Sequence, residues 1–127
     1  MQITSFLGVG VGAALGAWLR WGLGVWLNPL FTTMPLGTLA ANLLGGYLVG
    51  VAVMVFHINT SLPIELRLFL ITGFLGGLTT FSTFSAEVVA LVRISAWGWA
   101  AAAASLHLFG SLLMTGLGIY TVQQLAK

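Results

Sequence analysis

Apolar residues run along this chain in four long stretches, at residues 3–27, 36–56, 66–92 and 96–125. Each is long enough to cross a bilayer as a helix, which takes roughly 20 residues. The connections are polar or broken: NPLFTTMP at 28–35, HINTSLP at 57–63, and a short turn around Arg93 to Trp97. All three prolines fall in the first two connections, where a missing N–H interrupts no helix. The pattern predicts an all-α membrane protein with one domain of four transmembrane helices.

Small and polar residues inside the stretches fall into stripes. In the first, Gly8, Gly12, Gly16, Arg20 and Gly24 recur every four residues, a spacing that keeps them on one slowly drifting face and lets helix backbones approach closely. Arg20 either snorkels to the interface beside Trp18 and Trp21 or attracts an anion at a vestibule. In the second, Thr38 and Asn42 share a face continued by Gly46 and Gly50. Asn42 has two N–H donors and no charge; it suits an interhelical hydrogen bond, a passing anion, or both. In the fourth, His107, Ser111 and Thr115 stand four residues apart. A lone hydroxyl in a membrane helix bonds back to its own i−4 carbonyl, whereas three polar groups in register look like a polar track or a helix seam.

The third stretch departs most from a lipid-facing helix. Residues 73–85, GFLGGLTTFSTFS, hold three glycines, five hydroxyl side chains and three phenylalanines in thirteen positions, with no charge. Gly73, Gly76 and Gly77 weaken the helix, and the hydroxyls of Thr79, Thr80, Ser82, Thr83 and Ser85 can cap a restarted one. A helix broken mid-membrane is expected here, because irregular backbone at that depth survives only inside protein or along a polar path. Such a break exposes carbonyls to a cation on one side and N–H groups to an anion on the other. Phe81 and Phe84, at i and i+3, share a face; an aromatic edge is positive and can meet a small anion without holding it as a full charge would. Glu87, farther along, reads as a residue of the mouth.

Composition narrows the class. The chain of 127 residues is 59% hydrophobic and only 5% charged, far below the roughly one quarter charged residues of soluble domains, and its mean hydropathy is +1.08. Six charged side chains remain, Arg20, Glu65, Arg67, Glu87, Arg93 and Lys127. They form no basic patch for nucleic acid. The absence of cysteine excludes disulfides and thiolate metal sites. With one other histidine, His57 in a connection, a metal at His107 is not expected. No nucleophile motif marks an enzyme.

Basic residues divide evenly between the two ends of a four-span bundle: Arg67 and Lys127 on one side, Arg20 and Arg93 on the other. The positive-inside rule then assigns no orientation. Either other factors orient the chain, or it inserts both ways and pairs antiparallel. All five tryptophans, Trp18, Trp21, Trp26, Trp97 and Trp99, lie toward one end; an antiparallel pair would restore an aromatic belt at both interfaces. Four helices also enclose a polar path poorly, which favours a dimer.

The motifs GAWLRW at 16–21, GTLAANLLG at 37–45, GFLGGLTTFSTFS at 73–85 with Glu87, and GSLLMTG at 110–116 resemble those of the bacterial fluoride channel family (Fluc, also called CrcB), over nearly the whole length. The resemblance implies an antiparallel, dual-topology homodimer in the bacterial inner membrane with two fluoride pores. It implies that Phe81 and Phe84 edges contact fluoride, that Asn42 donates to it, and that Ser111 and Thr115, with Ser82 or Thr83, form a polar track. Arg20 would sit at a vestibule. Backbone carbonyls of Gly76 and Thr79 from both subunits would hold a structural sodium ion on the two-fold axis.

Two other classes remain in view. A small dual-topology drug or cation exporter would use a carboxylate within the membrane, and an assembly subunit would need only the glycine stripes. A reporter fused to the C-terminus is expected on both sides of the membrane; a signal from one side alone would exclude insertion in both directions.

Overall fold

The computed structural model describes residues 2–127, and every regular element among them is helical. Helix α1 is Ile3–Leu27 and ends in a short 3₁₀ turn, Asn28–Leu30. Helix α2 is Leu36–Ile58. Helix α3 covers residues 64–78: a first turn Ile64–Arg67, a wide π-helical run Leu68–Leu75, and a last turn Gly76–Leu78. Helix α4 is Phe81–Arg93 and helix α5 is Trp97–Leu125. Four helical segments are long and apolar enough to cross a membrane: Ile3–Leu30, Leu36–Ile58, Ile64–Arg93 and Trp97–Leu125.

Pro35 and Pro63 stand immediately before α2 and α3, where their fixed φ suits a helix start. Asn28 reaches across the first connection, and its side-chain oxygen accepts from the Gly37 N–H at 2.7 Å. This satisfies one of the free donors at the start of α2. The last connection is tight. Ser95 takes φ 60°, while the Ser95 and Ala96 N–H groups donate back to Val92 and Leu91, a left-handed closure of the α4 C-terminus.

Packing follows the glycine stripes. Gly12 lies against Phe69 and Gly73, and Gly16 against Phe74 and Leu78. Residue numbers rise together in these pairs, so α1 and α3 run parallel. A Cβ on Gly16 would collide with the Phe74 carbonyl oxygen, and one on Gly77 with that of Ala13. A repeat of four drifts on a helix of 3.6 residues per turn. Farther along α1 the stripe has accordingly turned to α2, where Gly24 meets Gly37.

The same logic joins α2 to α5. Gly46 faces Ser111, Gly50 faces Thr115, and Gly118 faces Tyr47, which again sets two helices parallel. The Tyr47 hydroxyl donates to Thr121 at 3.0 Å, giving that mid-helix polar group its partner. Ala41 and Leu78, both 0% exposed, mark the centre where α2 and α3 meet. The tryptophans stay outside, from 45% to 72% exposed. Phe31 packs on Trp99 with centroids 5.4 Å apart, which puts the first connection beside the start of α5.

Gly50→Ala should push α2 from α5 and destabilise the chain by about 1–3 kcal/mol, the usual result of overpacking. Gly116, with nothing within 4 Å of its Cβ position, should accept alanine without loss. Thermal melting of the two variants in detergent micelles checks the contrast.

Candidate functional site

The last rung of the α3 ladder is the Thr79 N–H on the Leu75 carbonyl, at 3.0 Å. Thr79 is extended (φ −86°, ψ 153°), as is Thr80 (φ −150°, ψ 118°), before α4 begins at Phe81. In an uninterrupted helix the N–H groups of Thr80, Phe81 and Thr83 would bond to the carbonyls of Gly76, Gly77 and Thr79. Buried groups denied those partners need others, and the fold supplies several. The Thr80 N–H donates to the Asn42 side-chain oxygen at 2.8 Å, and the Asn42 Nδ2 donates to the Thr80 carbonyl at 3.0 Å. One side-chain amide thus pairs with both backbone groups of Thr80, as a neighbouring strand would. The Gly77 carbonyl accepts from Arg20 Nε at 3.1 Å, a cation at a helix C-terminus. The Thr83 N–H donates to the Thr80 hydroxyl at 3.0 Å, the N-cap of α4.

Beside the break lies a groove of about 310 Å³ lined by Asn42, Thr79, Thr80, Phe81, Phe84, His107, Ser111 and Thr115, with Gly46, Leu108 and Leu112. Its lining is neutral and mostly apolar. Phe81 and Phe84 meet edge to face, with centroids 5.4 Å apart and planes at 74°. Phe84 stacks on His107 at 4.6 Å and 28°. One face of Phe84 is therefore covered by the His107 ring. Phe81 is 77% exposed, so a single chain leaves the groove open on one side. The α4 N-terminus also faces this region and adds the positive end of a helix dipole.

Five residues singled out from the sequence, Asn42, Phe81, Phe84, Ser111 and Thr115, come together here, and Thr79 joins them. Thr115 does not bond back within its own helix; its hydroxyl donates across to the Gly46 carbonyl at 2.9 Å. Thr79, Ser85 and Thr121 do bond back to carbonyls four residues earlier. Thr83 lies apart, in a second groove with Arg20, Trp21, Asn28 and Thr38. Ser82 is exposed, its hydroxyl 3.3 Å from that of Thr80. Glu87 lines neither groove; one of its carboxyl oxygens is buried without a hydrogen-bond partner. Thr80, read from the sequence as a hydroxyl able to cap the restarted helix, and His107, read as the first of three polar groups in register on the last span, also line the groove. Their polarity in an apolar helix was visible, but their partners lie 38 and 65 residues away.

Residues 7–119 match the family described as CrcB-like protein, Camphor Resistance (CrcB). The chain belongs to this family. A relative from Nitrosospira multiformis named "Fluoride-specific ion channel FluC" is 61% identical over 100% of this chain and 99% of its own length. One of the same name from Dechloromonas aromatica is 64% identical over 96% of this chain and 90% of its own. A third, from Cupriavidus taiwanensis, is 62% identical over 99% and 100%. Together with the four spans, membership makes the chain a multi-pass bacterial membrane protein. Among the described residues no group of three His, Cys, Asp or Glu side chains stands ready for a metal.

Thr80→Val removes the N-cap of α4, a change that costs about 1 kcal/mol. Faster amide exchange at Thr83, with Ala103 in the second turn of α5 unaffected, is the expected result and is read by hydrogen–deuterium exchange in micelles.

Proposed function

We propose that this chain is the subunit of a fluoride-selective channel that carries fluoride passively out of the cell across the inner membrane. The observation that carries the reading is the groove itself: two phenylalanine rings, neutral polar side chains and the start of α4 line it, with no charged side chain. The names of the relatives support it. Fluoride is small and strongly hydrated, so a selective path must replace water with hydrogen-bond donors. Conduction also requires that the ion leave again. Ring edges and neutral N–H and O–H groups meet both demands, where a full positive charge would trap the ion. Glu87 stands outside the groove, which disfavours proton-coupled export through it. At acidic external pH, neutral hydrogen fluoride enters and dissociates inside, and the negative interior drives the anion out.

The working unit in this proposal is an antiparallel homodimer inserted in both orientations. Support comes from the open side of the groove at Phe81 and from the even division of basic residues. Sodium belongs to the same proposal. The Thr80 N–H that would bond the Gly76 carbonyl is taken by Asn42, and that of Thr83, due to Thr79, is taken by the Thr80 hydroxyl. These neutral oxygens suit a hard monovalent cation, and Gly76 and Thr79 of two copies would hold it and tie the breaks together. Thr83, Ser82, Arg20 and Glu87 are assigned to the approaches of the path.

Purified protein in liposomes is expected to release fluoride and retain chloride; fluoride release no faster than from protein-free vesicles would end the channel reading. Phe81→Ile and Phe84→Ile should each lower the flux by about an order of magnitude, a rise of about 1.4 kcal/mol in the barrier. Replacing sodium by a large organic cation should lower flux or loosen the dimer.

A further inference from the structure

A third groove, larger than the other two at about 660 Å³, runs along the outside of the bundle between α1 and the π-helical run of α3. It extends from Ser5 and Leu68, each near the start of its helix, to Ala14 and Thr72. Gly8 lies against Phe69, which sets the two helices level. The groove therefore opens at the end of the bundle where α1 and α3 begin. Its depth has a cause in the sequence. Gly10 and Ala14, four residues apart, share a face of α1 and leave that face low. A Cβ on Gly10 would meet nothing within 4 Å. Phe6, 60% exposed, stands one turn before them as a wall. On α3 the i→i+5 winding of the π run puts Leu68 and Thr72 nearly one turn apart, so both border the same slot. The hydroxyls of Ser5 and Thr72 are the polar side chains of the lining.

We propose that this slot binds one anionic phospholipid, with an acyl chain along Gly10 and Ala14, the ester region at the Ser5 hydroxyl and the phosphate at Arg67. Both walls belong to membrane spans, so the slot faces hydrocarbon. Hydrocarbon gains nothing by leaving lipid for an equally apolar protein surface. Retention of one lipid must come from concave fit and from the headgroup. The concave fit is the slot, which surrounds a chain on several sides where a convex helix would touch it on one. The headgroup selection is electrostatic. Arg67 directly precedes Leu68 and is exposed. Glu65, two positions earlier, does not share its face. With Phe69 level with Gly8, Arg67 stands beside the first turns of α1, at the mouth of the slot. A basic side chain at the membrane surface attracts anionic headgroups. Lys127, the other cation of this end, is engaged by Gln124 on α5, which packs on α2. The site stands apart from the groove at the helix break, and the assignment does not rest on the fluoride reading.

Native mass spectrometry tests this after the full chain is reconstituted with equal amounts of phosphatidylglycerol and phosphatidylcholine and returned to detergent. The parent should retain one lipid per chain, phosphatidylglycerol over phosphatidylcholine by about fivefold, the pull of one arginine on an anionic headgroup. Arg67→Gln should still retain a lipid but lose the preference. Gly10→Leu, whose side chain grows into the open slot, should retain none while keeping the oligomeric mass of the parent. Equal retention of the two lipids by the parent would overturn the proposal, as would a phosphatidylglycerol adduct that survives Gly10→Leu. A second measurement separates lipid from protein as the occupant. The chain has no cysteine, so Val11→Cys places a single thiol on the slot. Under a membrane-permeant oxidant it should stay uncross-linked; a disulfide between two copies would make the slot an interface between subunits and overturn the lipid site.

Discussion

The site depends on one side chain pairing with one peptide. Asn42 meets both backbone groups of Thr80, a residue that has left the helix. Two unpaired backbone groups buried in an apolar bundle would cost several kcal/mol. The chain can therefore leave its helical path at this depth only where another element supplies a donor and an acceptor at the right separation. An asparagine amide does so without bringing in a charge. The polar features around it follow: the redirected carbonyls of Gly76, Gly77 and Thr79, the cap at Thr80, and the start of α4 that aims Phe81 and Phe84 at the groove.

That pairing works because the backbones are already close. Glycines at 12, 16, 73 and 77 bring α1 against α3, and those at 46, 50 and 118 bring α2 against α5. Lipid offers no hydrophobic drive for helices to associate, so packing and interhelical hydrogen bonds carry the bundle. The parallel pair α2 and α5 is also registered. Asn42 meets His107, Gly46 meets Ser111 and Gly50 meets Thr115, each step four residues long. A shift of one residue along either helix would lose both the close approach and the Asn42–His107 contact.

The charged residues are placed by the same constraint. Arg20 lies on the glycine face of α1 and reaches the Gly77 carbonyl, so its charge is balanced against a helix end rather than set in the groove. It joins Thr83 and Thr38 in the second groove. The groove with Phe81 and Phe84 is left with neutral donors only, which is the chemistry a releasable anion needs.

Much of this was legible along the chain. Apolar length and the positions of the prolines marked an all-helical, four-span protein, because bilayer thickness and the missing proline N–H act locally. The glycine repeat marked a packing face for the same reason. Hydroxyls and glycines at 73–85 marked a disturbed span. The sequence also brought Phe81, Phe84, Asn42, Ser111 and Thr115 forward together, and they line one groove. What it did not carry was partnership across helices. That the π-helical run Leu68–Leu75 precedes the break, that Thr83 turns to Arg20's side, that Asn42 holds Thr80 and meets His107, and that Thr115 donates to Gly46 were decided by tertiary structure alone. Local periodicity determines which face of a helix a residue occupies; the partner of a buried polar group depends on the register between helices far apart in sequence, which only the assembled bundle sets.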